Sequence, residues 1–304
     1  MDEPTAFTVR EGRARGLSPG DLRSARLAAP FHGVRSISEP VDVAGRCRAY
    51  ATKMRADAAF SSVSAARLWG VPLPAWVRDD AVCVSVPHGV ARPTGRGVSG
   101  SVHMPGSVEI VDLGGLPVLS PVDTWASLAG VLSLADLVAA GDFLVTRAFA
   151  SSIPAHATPE ELVGVTRRRR FRGVRLARHA ASLVRVGSLS RPESLTRVLV
   201  VTGGVPEPVC NLRVSPLVTF DLGWETWRLG LDYHGASHRS ATQHAKDVAR
   251  GDLARQIGWA AMQASAVDLF DSPFDLLGRV RARLIERGAP VRRIDVRQVA
   301  TARR

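Results

Sequence analysis

The sequence predicts an α/β protein in which helices and short strands form several domains. Its 304 residues, 45% hydrophobic and 22% charged, suffice for two or three domains with a sizeable core. Strand-like alternation, as in VCVSV at 82–86, occurs beside capped helical segments that start at Ser120 and Ser272. We therefore expect an N-terminal winged helix-turn-helix, a mixed α/β middle domain and a C-terminal mixed sheet flanked by helices. The expected boundaries are 1–38, 39–150, a basic connector at 151–180, 181–288 and a basic tail at 289–304.

The charge of the chain predicts a polyanionic partner. The net charge is +12 and the pI about 11.1, and nearly all of the positive charge is arginine, since Lys53 and Lys246 are the only lysines. Such a field favours nucleic acid, most simply DNA. The alternative is that the arginines reflect coding bias and form an ordinary solvated surface.

The sequence also predicts a cytoplasmic protein with no membrane partner. No window approaches ~18 uncharged apolar residues, and the first residues, MDEPTAF, lack the basic and apolar regions of a signal peptide. Cys47, Cys83 and Cys210 are odd in number and form no CxxC pair, which is typical of reduced thiols.

Residues 5–37 are expected to form the winged helix. Thr8–Ala14 predicts a short helix that ends at Gly16, and Ser18-Pro19 predicts the start of a second helix. PFHGVRSI at 30–37 predicts the strand or wing that follows. The candidate DNA contacts here are Arg23, Arg26 and Arg35. A small helical hairpin that binds no nucleic acid is the alternative.

The middle region has the pattern of a mixed sheet with helices. Helices are expected at 46–57, 60–69, after Ser120-Pro121 and at 133–146, and strands at 82–86, 95–104 and 117–119. The segment at 95–104 would be the hairpin partner or the neighbour of the strand at 82–86. His88 and His103 have no acidic or cysteine partner at metal-ligand spacing, so we interpret them as ordinary polar positions.

The connector carries a dense run of arginines. Arg168, Arg172, Arg175 and His179 fall at helical spacing and would form one basic stripe. Such a stripe could contact phosphates, although most charge runs are solvated helix faces.

Two aspartates interrupt an otherwise apolar two-strand segment at residues 217–238, LVTFDLGWETWRLGLDYHGASH. A turn centred on Glu225-Thr226 would place Asp221 opposite Gly230. The same register would place Asp232 opposite Thr219, so that the two carboxylates lie on one face about 7–8 Å apart at Cα. Such a pair could hold Mg²⁺ and activate water. The structural alternative is that Asp221 accepts hydrogen bonds in a turn and Asp232 pairs with a buried arginine.

The elements around this segment follow the order α-β-β-β-α-β-α. A helix over 191–202 would be capped by Ser190 or Ser188, and a last amphipathic helix would start at Ser272-Pro273.

The segment from Glu193 to about Leu284 resembles the very-short-patch-repair-like branch of the PD-(D/E)XK nuclease superfamily. The residues that carry this resemblance are Glu193 in RPESL, Asp221 in TFDLGW, Asp232-Tyr233-His234-Gly235, His238, Lys246-Asp247, Arg250 and Gly258-Trp259. The whole chain also resembles bacterial proteins that join this domain to a front end like the AbiEi-type antitoxins, which carry a motif like FSSVSAARLWGVPLP at 60–74.

The nuclease resemblance implies hydrolysis of DNA with Mg²⁺ or Mn²⁺. Asp221 and Asp232 would be metal ligands, assisted by Glu193 from its helix. His238 would act as a general acid or base, or contact the scissile phosphate. The other implied site residues are His234, Lys246 and Arg250, the last two as sources of positive charge.

Three departures from the family pattern bear on activity. Asp232 stands where a longer glutamate is common, His234 replaces a second acidic residue, and Gln263 replaces a basic one. Two other functions therefore remain open. One is an antitoxin-like DNA-binding repressor that has lost its chemistry. The other is a protein-interaction module for a cognate toxin or defence protein.

Overall fold

The protein has a mixed α/β fold with three β-sheets. The computed structural model describes residues 6–78, 80–150, 155–235 and 250–301, except for the side chains of 147–150 and 296. The chain divides into two compact units, the first formed by 1–131 with 165–172 and the second by 132–164 with 173–304. None of the described helices is long and apolar enough to cross a membrane. All three cysteines are free.

The N-terminal segment contains one α-helix instead of the two predicted. Its elements are β1 (Ala6–Thr8), α1 (Val9–Ala14), a 3-10 turn (Asp21–Arg23) and β2 (Val34–Ser36), and β1 pairs antiparallel with β2. The prediction of a helix after Ser18-Pro19 was therefore wrong. Ala28 exchanges two backbone hydrogen bonds with Ser36, so the chain is already extended at Ala28. The predicted second helix is therefore absent from this segment.

The second sheet of the first unit has five strands in the order β5-β4-β3-β7-β6. Its elements are α2 (Val43–Ala51), β3 (Ala59–Phe60), α3 (Ser62–Leu68), β4 (Val82–Pro87), β5 (Val98–His103), β6 (Ile110–Asp112), β7 (Pro117–Leu119) and α4 (Pro121–Leu128). β5 runs parallel to β4, so it is the neighbour of β4 and not its hairpin partner.

The N-terminal segment and this sheet share one hydrophobic core. Phe31 and Val34 are buried in the same cluster as Phe60, Val84 and Val118. The hydrophobic core is therefore continuous across residue 38, where the sequence had predicted a domain boundary.

Four helices follow, of which the sequence assigned the first to the middle domain, the second and most of the third to the connector, and the fourth to the C-terminal domain; the end of the second, from residue 165, belongs to the first unit. They are α5 (Leu134–Ala150), α6 (Pro159–Arg168), α7 (Val174–Leu183) and α8 (Arg191–Thr202). α5 belongs to the second unit and not to the middle domain, because its fully buried Asp142 pairs with Arg197 of α8 at 2.8 Å.

The predicted basic stripe is interrupted. α6 ends at Arg168, and α7 begins only after Gly173, whose φ of +83° is readily available to glycine alone. Arg168 and Arg172 therefore lie on a different segment from Arg175, and a continuous helix through all three does not exist.

The third sheet has four strands in the order β11-β10-β9-β8. Its unit contains β8 (Val209–Ser215), β9 (Val218–Trp224), a 3-10 turn (Glu225–Trp227), β10 (Leu229–His234), a helix α9 of which residues 250–256 are described, β11 (Ala260–Ser265), α10 (Ala266–Phe270) and α11 (Pro273–Glu286). β8, β9 and β10 are antiparallel, and β11 lies parallel to β10. This order confirms the α-β-β-β-α-β-α pattern expected from the sequence, with the short α10 added before α11.

The C-terminal residues pack against the second unit, although a basic tail was predicted from 289. Arg292 donates its backbone N–H to the Gly204 carbonyl at 2.9 Å, and Ala300 donates to the Thr202 hydroxyl at 3.0 Å. These bonds cover the C-terminal end of α8, where backbone carbonyls lack helical partners.

Candidate functional site

The register of β9 and β10 differs from the predicted one. Gly230 lies opposite Gly223, and Leu231 lies opposite Leu222, whereas Asp221 was expected opposite Gly230 and Asp232 opposite Thr219. The difference arises because the turn is centred later than Glu225-Thr226: it comprises residues 225–228, with Arg228 in the left-handed region at φ +46°. Continued by one residue, the observed register brings Asp232 level with Asp221.

The two aspartates replace the regular pairing of the strands at this point. The backbone N–H of Asp221 donates to Oδ1 of Asp232 at 3.2 Å, and the backbone N–H of Tyr233 donates to Oδ2 of Asp221 at 2.7 Å. Buried backbone N–H groups need acceptors, and each carboxylate supplies one to the neighbouring strand. The pair therefore has a structural role as well as any chemical one.

Asp232 is also neutralised by an arginine. Nη2 of Arg250 lies 2.7 Å from Oδ2 of Asp232, whose side chain is 8% exposed, and Nη1 of Arg250 lies 3.5 Å from the carbonyl of Thr219. The guanidinium thus connects the described part of α9 to both strands. Arg250 was predicted to supply positive charge or to contact DNA; here that charge is bound to Asp232.

Glu193 acts at the start of α8. Ser190 caps the helix by accepting from the Glu193 N–H at 3.3 Å, and its hydroxyl donates to Glu193 Oε1 at 2.8 Å. Oε2 accepts from the Leu189 N–H at 2.9 Å. A carboxylate here satisfies donors that a helix start leaves without helical partners. Both carboxylate oxygens are therefore engaged in the cap.

The three carboxylates are close enough to influence one another electrostatically. Burial raises the pKa of Asp221 to about 7; the hydrogen bond from Tyr233 opposes this shift, while the negative charges of Glu193 and Asp232 add to it. Positive charge on Arg250 lowers the pKa, but by less. The Asp221 carboxyl is therefore divided between protonated and ionised forms near neutral pH.

This donor set does not fit a magnesium site. Magnesium requires a near-octahedral shell of oxygen ligands. Within the described residues, no three His, Cys, Asp or Glu side chains come together as a group that could hold a metal ion. Asp232 faces a guanidinium, and the Glu193 oxygens accept hydrogen bonds within the helix cap. His238 and Lys246, which were predicted to take part in catalysis, lie outside the described residues.

The other predicted site residues lie partly beside the aspartate pair and partly on other elements. His234 is half-buried at the end of β10, opposite Ser265 of β11, and Gln263 lies opposite Asp232. The DNA-contact candidates Arg23, Arg26, Arg168, Arg172 and Arg175 are exposed. Arg35 is half-buried and donates to the carbonyls of Leu22 and Val34. Arg35 therefore has a structural role, since it holds the 3-10 turn against β2.

Sequence reasoning missed the buried ion pair in the second unit. Arg197 and Asp142 are fully buried, and Arg197 also reaches Glu207 at 3.1 Å. Burial raises the pKa of Asp142, and the positive charge of Arg197 opposes that shift. A sequence signal existed, since one charge of each sign interrupts the apolar stretches LVAAGDFLV and LTRVLVV.

Comparisons with known proteins identify no family. No protein-family model matches the chain, and no curated protein matches it. A crystal structure of the Rv2827c protein from Mycobacterium tuberculosis is 19% identical over 60% of this chain and 72% of that one, with a TM-score of 0.43. This similarity is too low to support an argument about function.

Proposed function

We propose that this protein is an arginine-rich DNA-binding regulator whose C-terminal unit has a nuclease-like order of elements and does not hydrolyse DNA. The observation that carries the proposal is the ion pair between Arg250 and Asp232. An antitoxin-like regulator of this kind could also bind a cognate toxin or defence protein, as the front-end resemblance implies.

The charge at the aspartate pair supports a structural role. Asp232 and Arg250 cancel one another, and Asp221 carries only part of a negative charge at neutral pH because its pKa is about 7. The Glu193 carboxyl group accepts hydrogen bonds from Leu189 and Ser190 at the N-terminus of α8. A hydrolytic metal centre needs several carboxylates that remain ionised and available to the cation.

DNA binding is supported by the distribution of arginine. The chain has a net charge of +12, and Arg23, Arg26 and Arg175 are exposed. Exposed arginines bind phosphates without recognising bases. They therefore account for affinity for DNA and not for specificity for a DNA sequence.

A metal-dependent nuclease is the second candidate, and one observation favours it. Glu193 and Asp232 both raise the pKa of Asp221, so three carboxylates from one helix and two strands share an electrostatic environment. Perturbed carboxyl groups of this type are common at functional sites.

A plasmid-nicking assay separates the two candidates. Wild-type protein, Asp221→Ala and Asp232→Ala are incubated with supercoiled plasmid and Mg²⁺ or Mn²⁺, and a gel-shift assay on the same preparations checks DNA binding. We expect no cleavage by any of the three, with binding retained by wild type. Metal-dependent cleavage by wild type that both substitutions abolish would overturn the regulator proposal. Equal cleavage by all three would indicate a contaminating nuclease.

A further inference from the structure

The first unit contains a cavity of about 830 Å³. Its walls come from the strands β4 and β5, the start of α3, the helix α4 and the arginine segment 168–172. None of the aspartate-pair residues lines it. We call it the serine–arginine cavity, after the side chains that dominate its lining.

The lining carries a strong excess of positive charge. Five arginines line the cavity, namely Arg92, Arg168, Arg169, Arg170 and Arg172, against a single acidic residue, Asp123. Arg169 pairs with Asp123, which also accepts the Glu109 backbone N–H at 2.6 Å. Across the described part of the chain, neither Arg170 nor Arg172 forms a salt bridge, and both are exposed. The cavity therefore offers guanidinium groups whose charge is not compensated by protein carboxylates.

A buried hydroxyl on the cavity wall also lacks an internal partner. Ser61 is 2% exposed, and its Oγ has no hydrogen-bond partner among the described residues. Ser61 precedes α3, yet its side chain accepts no hydrogen bond from that helix. The adjacent Ser62 has φ +49°, a left-handed conformation that is unfavourable for serine. A buried hydroxyl without a partner is costly, so this corner of the cavity wall is strained as it stands.

The opposite wall adds a neutral hydrogen-bonding group. Ser85 Oγ lies 2.8 Å from Nδ1 of His103. Burial lowers the pKa of His103 and the positive charge of Arg169 lowers it further, while Asp123 and Asp57 oppose the shift, so the neutral imidazole is favoured. His103 therefore contributes hydrogen bonding rather than charge. The arginines favour a ligand with negative charge.

We propose that the serine–arginine cavity binds a phosphate-bearing ligand of nucleotide size. Its volume lies within the range of about 300–1,000 Å³ that is typical of small-ligand sites. Guanidinium groups bind phosphate oxygens in bidentate fashion, which suits a cavity with five arginines in its lining. The ligand is either a free nucleotide or the phosphorylated end of a nucleic-acid strand, which present the same phosphomonoester.

Isothermal titration calorimetry on the full chain tests this proposal. The probes are AMP, adenosine, and a six-nucleotide single strand with a 5′-phosphate or a 5′-hydroxyl. The variants are Arg170→Gln and Arg92→Gln, which line the cavity and were not predicted to bind DNA. The matched control is Arg48→Gln, which removes one charge from an exposed residue of α2 that does not line the cavity. Circular dichroism verifies that each variant is folded.

We expect AMP to bind and adenosine not to bind. Arg170→Gln should weaken AMP binding about tenfold, Arg92→Gln should weaken it severalfold, and Arg48→Gln should leave it unchanged. Tighter binding of the 5′-phosphorylated strand than of both AMP and the 5′-hydroxyl strand would assign the site to strand ends, and tighter binding of AMP than of either strand would assign it to free nucleotides. The proposal is overturned if neither AMP nor the phosphorylated strand binds at millimolar concentration, if adenosine binds as tightly as AMP, or if both cavity variants bind like the Arg48→Gln control.

Discussion

Asp232 accepts the backbone N–H of Asp221 at 3.2 Å, and the Asp221 carboxylate in turn accepts the N–H of Tyr233 on the other strand. The two acidic residues thus bridge β9 and β10 where regular pairing has ended at Leu222 and Leu231. This explains why carboxylates occupy strand positions that would otherwise favour valine. It also means that substitutions here will affect stability as well as any chemistry.

Removal of the Arg250 charge should destabilise the second unit. Arg250→Gln leaves Asp232, which is 8% exposed, without its cationic partner. We expect the free energy of unfolding to fall by about 1–3 kcal/mol, measured by urea denaturation. Arg283→Gln breaks an exposed pair with Glu286 and should change stability by no more than about 0.5 kcal/mol. Equal effects of the two substitutions would show that the Arg250 pair is no stronger than a surface one.

The raised pKa of Asp221 predicts a pH-dependent stability. Between pH 4 and about 7 the unfolded state has released this proton while the folded state retains it, so stability should fall as pH rises through this window. Above pH 7 both states are ionised and the slope ends. Asp221→Asn removes this contribution, so its stability relative to wild type should be higher at pH 8 than at pH 5.

Urea denaturation at both pH values, in the presence of EDTA, measures this difference. The neighbouring groups Glu193, Asp232 and Arg250 remain in both proteins, so their titration largely cancels in the comparison. A difference between Asp221→Asn and wild type that is the same at pH 5 and pH 8 would contradict a raised pKa.

The buried pair of Arg197 and Asp142 should be among the most sensitive positions in the chain. Arg197→Ala leaves an unpaired carboxylate in a fully buried site, and we expect a loss of about 3–5 kcal/mol of unfolding free energy. The double variant Arg197→Met/Asp142→Leu removes both charges and should recover most of that loss. Both are measured by chemical denaturation, and a double variant no more stable than Arg197→Ala would assign the loss to packing alone.

DNA affinity should depend on the exposed arginines of the N-terminal segment. Arg23→Ala/Arg26→Ala should weaken binding in a gel-shift assay. It should also reduce the slope of log K against log salt by about 0.9 for each phosphate that the variant no longer neutralises. A matched control is Arg55→Ala/Arg283→Ala, which removes two arginines that already form exposed ion pairs. If both double variants bind alike, the N-terminal segment does not contact DNA specifically.

Elements defined by short-range interactions were predicted well. The helix expected over 191–202 is α8, capped by Ser190 with Glu193 in its first turn, and Pro273 begins α11 as expected. Caps and helix-starting prolines involve groups within about four residues, so the local sequence contains the information. The predicted second helix of the N-terminal segment failed because a strand bridge from Ala28 to Ser36 overrides the local signal.

The sequence identified the acidic residues of the candidate site, but it did not predict how they face each other. Glu193 and Asp232 both raise the pKa of Asp221, so the three acidic residues lie near one another, while their predicted role as metal ligands stays a prediction. The predicted register of β9 and β10 was wrong because the turn between them is longer than expected, and a longer turn changes which residues face each other. The sequence does not reveal how many residues the turn contains. The serine–arginine cavity was missed altogether, since Ser61, His103 and Arg170 are far apart in the chain and each looks ordinary alone.

The sequence by itself determined the mixed α/β class, the capped helices, the excess of positive charge and the identity of the acidic residues. Tertiary structure alone decided that Arg250 neutralises Asp232, 18 residues away, and that Arg197 meets Asp142 across 55 residues. The physical reason is that local backbone preferences and caps act over a single turn. The partner of a buried charge depends on how distant helices and strands pack. A charge removed from water is stabilised only by an opposite charge that the fold places beside it.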